Sequence, residues 1–370
     1  MHTVTFYPTG NADTCLIECA NGRKVIYDFA DQHNANDSTD KRIDLEKEVR
    51  AAVGDEKRID VLAISHLDLD HYQRSSEVFW LDHAEKYQGG DRIKFDTLWV
   101  PVAAIVETGI TDEGKVLRAE ARHRLKEGAG IRVFGRAKLL DNWLNDAGID
   151  PEDRADLITD AGSIVPGFSL GGDGLEFFVH SPFAMRDTDG NLIDRNSGGL
   201  FMQATFVASG TPTRLLLTAD CDHETLEAII GTTRHHGNDA RLEWDLNNIP
   251  HHCSYLSLAA EKGTDQTVPT ADIDWLYAEQ GTEGGTMVST SKPIPTNDAD
   301  KMPPHRQAAS YYRSIARALN GDFRVTMEHP TKSAPKPMVF EIGANGPQLK
   351  KPLATPSIAA TTHRPRAGSR

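Results

Sequence analysis

Apolar and polar residues alternate in short runs at the start of the chain, with the period of two that is typical of half-buried β-strands. Residues 3–8 and 14–19 form two such runs around a Gly-Asn-Ala-Asp turn. The tight-turn pair Asn21-Gly22 then leads into a third run at residues 24–29. The pattern therefore predicts a meander of three strands at the N-terminus.

Helical spacing of apolar residues appears at 43–53, where Gly54 ends the run, at 72–83, and again at 304–319. Other apolar or alternating runs predict further strands at residues 59–64, 98–102, 175–180, 200–207, 214–218, 242–249, 286–290, 323–328 and 338–342. This mixture of strands and helices indicates a protein of the α/β or α+β class.

A single large domain accounts for residues 1–347, and one segment inside it departs from the pattern. Residues 108–160, approximately, are rich in Ala, Leu, Lys, Arg and Glu, and they are predicted to form a helical insertion over one face. Residues 348–370 are rich in Pro, Ala, Thr, Ser and Arg, which is the composition of a disordered and mildly basic tail. The insertion or the tail could bind a partner protein, although a solvated tail is the simpler interpretation.

Composition and charge exclude several classes of protein. The formal net charge of −14 argues against a broad basic surface for duplex DNA, because such binding relies on Lys and Arg contacts to phosphates. An anionic substrate held by metal ions stays compatible with this charge. The four cysteines form no CxxC pair, no signal peptide opens the chain, and no apolar run approaches the ~18 residues needed to cross a membrane. These features predict a cytoplasmic protein without a membrane span.

Four potential metal ligands lie close together in segment 64–71, Ile-Ser-His-Leu-Asp-Leu-Asp-His, directly after the predicted strand at 59–64. Imidazole and carboxylate ligands together suit Zn, Mn or Fe better than Ca or Mg. In extended backbone His66, Asp68 and Asp70 point to one side, and the following turn must bring His71 round to join them. A solvated loop rich in His and Asp is the alternative, but four ligands this close would be costly to leave unpaired against a folded core.

Two later strands end in further candidate ligands. Asp220 closes the run Leu-Leu-Leu-Thr-Ala-Asp, where a carboxylate at the strand end is well placed to bridge two metal ions. His251 and His252 follow the strand at 242–249 in the run Pro-His-His-Cys-Ser. Each feature alone is weak, because a strand-end Asp is more often a turn former and a His pair more often lies on the surface. Their order along the chain is far more specific than any one of them.

The order of these motifs resembles that of the metallo-β-lactamase superfamily, and within it the ComEC/Rec2-like branch of hydrolases. The usual His-x-His-x-Asp-His signature appears as the His-x-Asp-x-Asp-His of residues 66–71, and Asp in the second place is typical of that branch. Residues 216–220 and 250–254 match the branch's Leu-Leu-Thr-Gly-Asp and Pro-His-His-Gly-Ser segments. The resemblance covers roughly residues 3–345 and implies an αββα sandwich of two mixed β-sheets flanked by helices, with metals at the strand edge.

The resemblance also implies a centre of one or two divalent metal ions, Zn or Mn. It assigns six ligands: His66, Asp68, Asp70, His71, Asp220 and His252. The first two would hold one ion, and Asp220 would bridge it to the other. The second ion would be held by Asp70, His71 and His252. Here His252 is preferred to His251 because the residue before the Gly-Ser position usually ligates.

The sequence departs from the superfamily pattern at three places. The middle histidine expected before the strand at 200–207 is missing, and the candidates to replace it are Asp194, Asn196 and the more distant His180. A Tyr-Gln pair replaces the usual Gly-Gly after the first signature, and Cys253 replaces a later Gly. The first metal site is therefore predicted to be weaker than the second or to be completed by water.

The resemblance and the charge favour a metal-dependent phosphodiesterase or nuclease that acts on single-stranded nucleic acid or a nucleotide through a metal-activated water. Asp70 would orient that water or accept its proton, and Ser254, Lys292 and His305 are candidates for gripping a phosphate. Two alternatives stay open. The same metals could hydrolyse an ester, thioester or lactam, or the chain could be an interaction subunit with a degenerate site.

Overall fold

A computed structural model describes residues 1–110, 112–183 and 199–351 of the chain. Two of the predicted replacement ligands, Asp194 and Asn196, lie outside the described residues, as does nearly all of the predicted tail. Within the described ranges the strands form a nine-stranded sheet and a six-stranded sheet. Each sheet contains parallel and antiparallel neighbours, so both are mixed.

The larger sheet joins the predicted meander to a run of parallel strands. Its strands are β1 (His2–Phe6), β2 (Cys15–Glu18), β3 (Lys24–Tyr27), β4 (Arg58–Ala63), β5 (Lys94–Pro101), β6 (Ile131–Phe134), β7 (Ile158–Thr159), β14 (Met338–Gly343) and β15 (Gly346–Leu349). Their order is β15-β14-β1-β2-β3-β4-β5-β6-β7, and the strands from β3 to β7 are parallel. The central strands are rich in Val, Ile and Leu because both faces of the sheet are covered.

The smaller sheet is antiparallel at one end and parallel at the other. Its strands are β8 (Leu175–Ser181), β9 (Phe201–Ala208), β10 (Thr211–Leu217), β11 (Trp244–Asn248), β12 (Gly281–Ser289) and β13 (Asp322–Val325). They lie in the order β13-β12-β11-β10-β9-β8, and the pairs from β10 to β13 are parallel. The carboxyl ends of β10 and β11 therefore meet at one edge of this sheet.

Helices cover the outer faces of the two sheets. The described helices are α1 (Leu45–Val53), α2 (Ser75–Val78), α3 (Ala103–Val106), α4 (Asp112–Glu127), α5 (Lys138–Asp146), α6 (Leu170–Asp173), α7 (His223–His235), α8 (Ala271–Ala278) and α9 (Arg306–Ala318). The predicted helix at 43–53 begins at Asp44, whose carboxylate accepts a hydrogen bond from Lys47 N–H, and it ends at Gly54 in the left-handed region with φ 71°. No helix in the described ranges is long and apolar enough to cross a membrane.

Among the described residues, three hydrophobic cores hold these layers together. Between the sheets, Trp99 of β5 packs edge-on against Phe177 of β8, with ring centroids 5.2 Å apart. Val49 of α1 and Leu140 of α5 belong to the core on the outer face of the larger sheet, and Ile229 of α7 belongs to the core outside the smaller one. The predicted αββα sandwich of two mixed sheets is therefore confirmed.

Three segments differ from the prediction. The segment at 108–160 contains α4 and α5, but it also contributes β6 and β7, so it extends the larger sheet as well as covering it. Helical spacing at 72–83 yields the single turn α2, because the chain turns extended at Phe79 and forms a β-bridge there with Ile93. At the C-terminus β15 continues two residues beyond the predicted domain end at 347.

Candidate metal centre

The predicted ligands lie where strands from both sheets end at one edge of the sandwich. β4 leads into residues 66–71, β10 ends shortly before Asp220, and β11 leads into residues 250–254. The Ser65 carbonyl accepts a hydrogen bond from Leu200 N–H at 2.8 Å, which joins the loop after β4 to the start of β9 in the other sheet. Strand-end loops from two sheets thus face each other across a common site.

The Asp220 carboxylate is the centre of this arrangement, with four imidazole nitrogens around it. Its Oδ1 lies 3.4 Å from His71 Nε2. Its Oδ2 lies 4.0 Å from His66 Nε2, 3.8 Å from His251 Nε2 and 3.7 Å from His252 Nε2. The carboxylate itself is buried. Asp220 can therefore share its two oxygens between neighbouring positions, as a bridging ligand requires.

Four of the predicted ligands form a compact group: Asp70, His71, Asp220 and His252. One ligand atom from each lies within 4.8 Å of all the others. The shortest separation is a hydrogen bond of 3.1 Å from His252 Nε2 to Asp70 Oδ2. This compact group contains the three residues predicted for the second ion together with the predicted bridge.

The pair predicted for the first ion, His66 and Asp68, lies beside the compact group in a wider arrangement. His66 Nε2 is 3.8 Å from Asp68 Oδ2 and 4.0 Å from Asp220 Oδ2. His66 is buried, whereas the Asp68 side chain is 34% exposed. Among the described residues this pair does not meet the spacing of the compact group. That the first site is weaker than the second stays a prediction.

The separations around Asp220 are longer than direct hydrogen bonds, and the shortest of them, 3.4 Å from Oδ1 to His71 Nε2, matches the spacing of two ligands on one ion. An N–H···O hydrogen bond is about 2.7–3.2 Å long. Two tetrahedral ligands of one ion, at bonds of about 2.0–2.2 Å, are about 3.3–3.6 Å apart. His66 Nε2, His71 Nε2 and Asp220 Oδ1 are buried without a hydrogen-bond partner in the described part of the chain. A divalent ion would satisfy these atoms, and the mixed nitrogen and oxygen donors suit Zn or Mn.

A buried carboxylate, Asp28, holds His71 in the orientation that a metal ligand needs. His71 Nδ1–H donates to Asp28 Oδ2 at 2.8 Å, which leaves Nε2 toward Asp220. Ser65 donates to the same carboxylate twice, from its hydroxyl and its backbone N–H, both at 2.6 Å. His252 is oriented in the same way, because its Nδ1–H donates to the Thr290 carbonyl at 2.8 Å. Such outer contacts fix the tautomer of ligating histidines.

Sequence reasoning did not select Asp13, Asp28 or Ser65 as site residues. The signal for Asp28 is its place directly after β3, because β3 and β4 are parallel neighbours whose ends meet at the same edge. Asp13 lies in the turn between β1 and β2, and its N–H donates to the Asp70 carbonyl at 3.1 Å. Its carboxylate is buried 3.8 Å from His71 Nδ1, and burial raises its pKa to about 6.

Left-handed backbone at non-glycine residues recurs around the centre. Asp28, Ala219, His251, His252 and Cys253 have φ between 49° and 67°. Ala219 and Cys253 stand where the resembling branch has Gly, the residue that adopts such φ values without strain. Non-glycine residues in this region cost on the order of 1–3 kcal/mol each, and such strain clusters at functional sites.

The residues predicted to bind a phosphate differ in accessibility. Ser254 is buried, and its hydroxyl accepts a backbone N–H two residues on at 3.2 Å. His305 accepts from Tyr255 N–H at 3.3 Å and donates from Nε2 to the Lys301 carbonyl at 3.1 Å. Lys292 is exposed. Of the three, Lys292 has the side chain most accessible to a substrate, and all three roles stay predictions.

His180, the described candidate for the missing middle ligand, lies elsewhere. Its Nδ1 is 3.1 Å from Thr233 Oγ1 of α7, and its Nε2–H donates to the Arg241 carbonyl at 2.9 Å. Both ring nitrogens are therefore used in holding α7 and the following turn against β8. His180 does not join the cluster around Asp220, so it is not the replacement ligand.

The carboxylates of the centre shift the pKa values of the neighbouring imidazoles. Burial lowers the pKa of His66 to about 3, so this imidazole is neutral. Burial alone would lower the pKa of His252, but the charge of Asp220 and the hydrogen bond to Asp70 outweigh it and raise the pKa to about 9. Asp28 and Asp220 likewise raise the pKa of His71. Without metal, two of the imidazoles therefore carry protons that neutralise part of the carboxylate charge.

Binding of one ion to the compact group is expected to release about two protons at pH 7, because His71 and His252 must be neutral to ligate. As the pH rises from 6 toward 9 these protons compete less, so the apparent metal affinity is expected to increase over that range. Calorimetric titration of the metal-free protein with Zn in buffers of different ionisation enthalpy measures the release. Binding with no proton release would contradict this assignment of the two imidazoles.

Fold and site together define a class: an αββα sandwich with a group of His and Asp residues at its strand edge that could hold a divalent metal ion. No protein-family model and no curated protein matches the chain. Among solved structures the chain is similar to unliganded yeast PDE1, with 10% identity, a TM-score of 0.42, and 88% of this chain and 96% of that one covered. It is also similar to human tRNase Z, short form (ELAC1), with 10% identity, a TM-score of 0.38, and 92% and 99% covered. At this level of similarity these likenesses carry no functional argument.

Proposed function

We propose that this protein is a metal-dependent hydrolase of the metallo-β-lactamase superfamily, in its ComEC/Rec2-like branch, and that it cleaves a phosphodiester of a nucleic acid or nucleotide. The observation that carries the proposal is the position of Asp220, whose two oxygens lie 3.4–4.0 Å from four imidazole nitrogens. A carboxylate shared in this way suits two adjacent divalent ions. Paired ions of this kind activate water and hold the oxygens of a phosphodiester.

Different residues of the chain would hold the ions, orient a ligand and orient the attacking water. Asp220 and the histidines around it would hold the ions, and Asp28 would keep His71 oriented. Asp70 is ionised, because its hydrogen bond from His252 and the charge of His71 overcome burial and hold its pKa well below the usual range. Its side chain is 29% exposed, so its carboxylate can orient the attacking water or accept a proton from it.

The net negative charge of the protein favours a small or single-stranded substrate over a long duplex. A formal net charge of −14 disfavours a long duplex, which needs many basic contacts. A nucleotide or a single strand requires few, and Lys292 is an exposed cation that could meet one phosphate. Its backbone N–H donates to Asn11 Oδ1 at 2.9 Å, and Asn11 Nδ2 donates to the Pro303 carbonyl at 2.6 Å. These bonds fix the loop that carries Lys292.

Hydrolysis assays test the proposal against its alternatives. The metal-free protein is incubated with a bis-aryl phosphodiester, single-stranded and duplex oligonucleotides, nucleotides and simple carboxylic esters, with and without Mn or Zn. We expect metal-dependent cleavage of the phosphodiester and of small or single-stranded substrates. Turnover of esters alone would replace the phosphodiester proposal with the ester alternative. Less than about half an equivalent of bound transition metal would favour an interaction subunit.

A further inference from the structure

The helix α4 carries its cations and its carboxylates on different faces. An α-helix turns by about 100° per residue, so four of its cations fall within a sector of about 80°: Lys115, Arg118, Arg122 and Lys126. These four residues are called the α4 stripe, and they extend over about 17 Å of the helix. The four carboxylates of α4 lie outside the sector, at Asp112, Glu113, Glu120 and Glu127.

Hydrogen bonds to carbonyl groups hold the two arginines of the α4 stripe in place without neutralising their charge. Arg118 Nη1 donates to the Glu107 carbonyl at 2.8 Å. Arg122 donates to the Ile105 carbonyl from Nε at 2.9 Å and from Nη2 at 2.6 Å. Among the described residues, Lys115 pairs with Asp112 at 2.8 Å, and the other three cations of the stripe form no ion pair within 4.0 Å.

The α4 stripe is therefore a concentration of positive charge in a chain whose formal net charge is −14. Burial and the nearby charge of Arg118 both lower the pKa of Arg122, as expected where cations crowd together. An anionic partner would relieve this repulsion, because its charge would lie close to all four cations.

An aromatic ring lies beside two cations of the stripe. The ring centroid of Trp143, on α5, is 5.4 Å from the Arg122 guanidinium and 5.6 Å from the Lys126 ammonium. Trp143 is half-buried, and Leu139, one turn earlier on α5, is 40% exposed. Cations beside an aromatic face suit a single-stranded nucleic acid, because its phosphates contact the cations while its bases stack on the ring. An acidic polypeptide offers the charge but not the stacking bases.

The α4 stripe begins at the edge of the sandwich that carries the compact group. β4 and β5 are parallel neighbours, so the carboxyl end of β5 lies at the same edge as the carboxyl end of β4. The first of these ends leads to α3, whose last residues accept the hydrogen bonds from Arg118 and Arg122. α4 also packs against α2, which follows the loop that ends at His71. A strand bound along the stripe would therefore approach the centre from the side of β5.

We propose that the α4 stripe and Trp143 bind a single-stranded nucleic acid and extend the substrate-binding surface of the metal centre along α4. The inference rests on the proposed function, and it names the substrate as a strand longer than one nucleotide. Four cations are too few for the many phosphate contacts of a long duplex. Because contacts to phosphates carry no sequence information, binding is expected to be independent of base sequence.

Salt-dependent binding of an oligonucleotide tests the inference without any assay of hydrolysis. The full-length protein, with a chelator to prevent cleavage, is titrated into a fluorescein-labelled oligothymidylate of about 20 nucleotides. For a single strand, log Kd rises with log salt concentration by about 0.7 per phosphate contact. The double variant Lys115→Gln/Lys126→Gln is expected to lower this slope by about 1.4 and to raise Kd at least about 10-fold at about 50 mM salt. Trp143→Leu is expected to raise Kd at least about 5-fold with an unchanged slope.

The double variant Lys332→Gln/Lys336→Gln is the matched control. It also removes two exposed lysines, and Lys332 pairs with Glu328 at 3.0 Å much as Lys115 pairs with Asp112. Both lysines lie before β14 and far from α4 in the sequence. The control should keep the Kd and the salt dependence of the unchanged protein.

Three results would overturn the inference. They are no binding by the unchanged protein, an unchanged Kd and slope in the folded stripe variant, and equal losses in the stripe variant and the control. Poly-glutamate of equal length is the second ligand, and binding as tight as that of the oligonucleotide would assign the stripe to acidic proteins instead. An unchanged Kd in Trp143→Leu would overturn the part assigned to Trp143.

Circular dichroism verifies that each variant is folded, and the lysine variant carries the test if Trp143→Leu unfolds. Because strand binding is measured without metal, failure of the proposed function would appear separately, as absence of phosphodiester cleavage in the assays with Mn or Zn.

Discussion

The Asp220→Asn variant is expected to hydrolyse a phosphodiester at least about 10³-fold more slowly than the unchanged protein while it stays folded. Asp220 lies within 4.0 Å of four imidazole nitrogens, so the change weakens both metal positions at once. Asn has nearly the same shape, but its neutral amide cannot bridge two cations. The measurements are kcat with a bis-aryl phosphodiester at saturating Mn and the metal content after dialysis.

Asp222→Asn is the matched control for this prediction. Asp222 is two residues away and caps α7 by accepting a hydrogen bond from Thr225 N–H at 2.9 Å. Asn caps a helix about as well as Asp, so the control should keep its rate and its metal. If Asp220→Asn retained the unchanged rate with its metal bound, the assignment of Asp220 as the bridge would be wrong.

The Asp28→Asn variant is expected to bind metal about 10–100-fold more weakly, although Asp28 is not a predicted ligand. Its carboxylate accepts His71 Nδ1–H at 2.8 Å, and this contact orients the ring and increases the basicity of Nε2. The neutral amide keeps the shape of the side chain but loses the charge. Competition with a chromophoric chelator measures the Kd of the compact group for Zn.

A control variant on a neighbouring strand separates the loss of His71 orientation from a general loss of stability. Asp60 of β4 forms an ion pair with Arg23 at 2.8 Å, on the same sheet but not among the site residues. Asp60→Asn should leave the Kd unchanged. If Asp28→Asn also bound Zn with the Kd of the unchanged protein, then Asp28 would have no positioning role for His71.

Much of the fold and part of the site were predictable from the sequence. Hydrophobic patterns predict the strands, and the ends of neighbouring strands lie at the same edge of a sheet. Alternating runs predicted β1, β2 and β3, and buried runs predicted β4 and β10. Motifs placed directly after such strands were therefore expected to meet, and the structure brings Asp70, His71, Asp220 and His252 within 4.8 Å. Their role as ligands stays a prediction until metal is measured.

The strands β6 and β7 and the position of His251 could not be predicted, because they depend on contacts between distant parts of the chain. β6 and β7 are short and lie within a segment of helical composition, so their pairing at the sheet edge follows from the tertiary fold. His251 lies 3.8 Å from Asp220 Oδ2, in a run of three consecutive residues with left-handed backbone. The resemblance favoured His252 and implied a site with a missing ligand, whereas the structure adds the neighbouring imidazole of His251.

Anomalous scattering tests whether the residues around Asp220 hold a metal ion. Crystals grown with Zn are measured above and below the zinc absorption edge. We expect an anomalous peak at about 2.0–2.2 Å from ligand atoms of Asp70, His71, Asp220 and His252. Crystals saturated with Zn that show no peak beside the Asp220 carboxylate would contradict it.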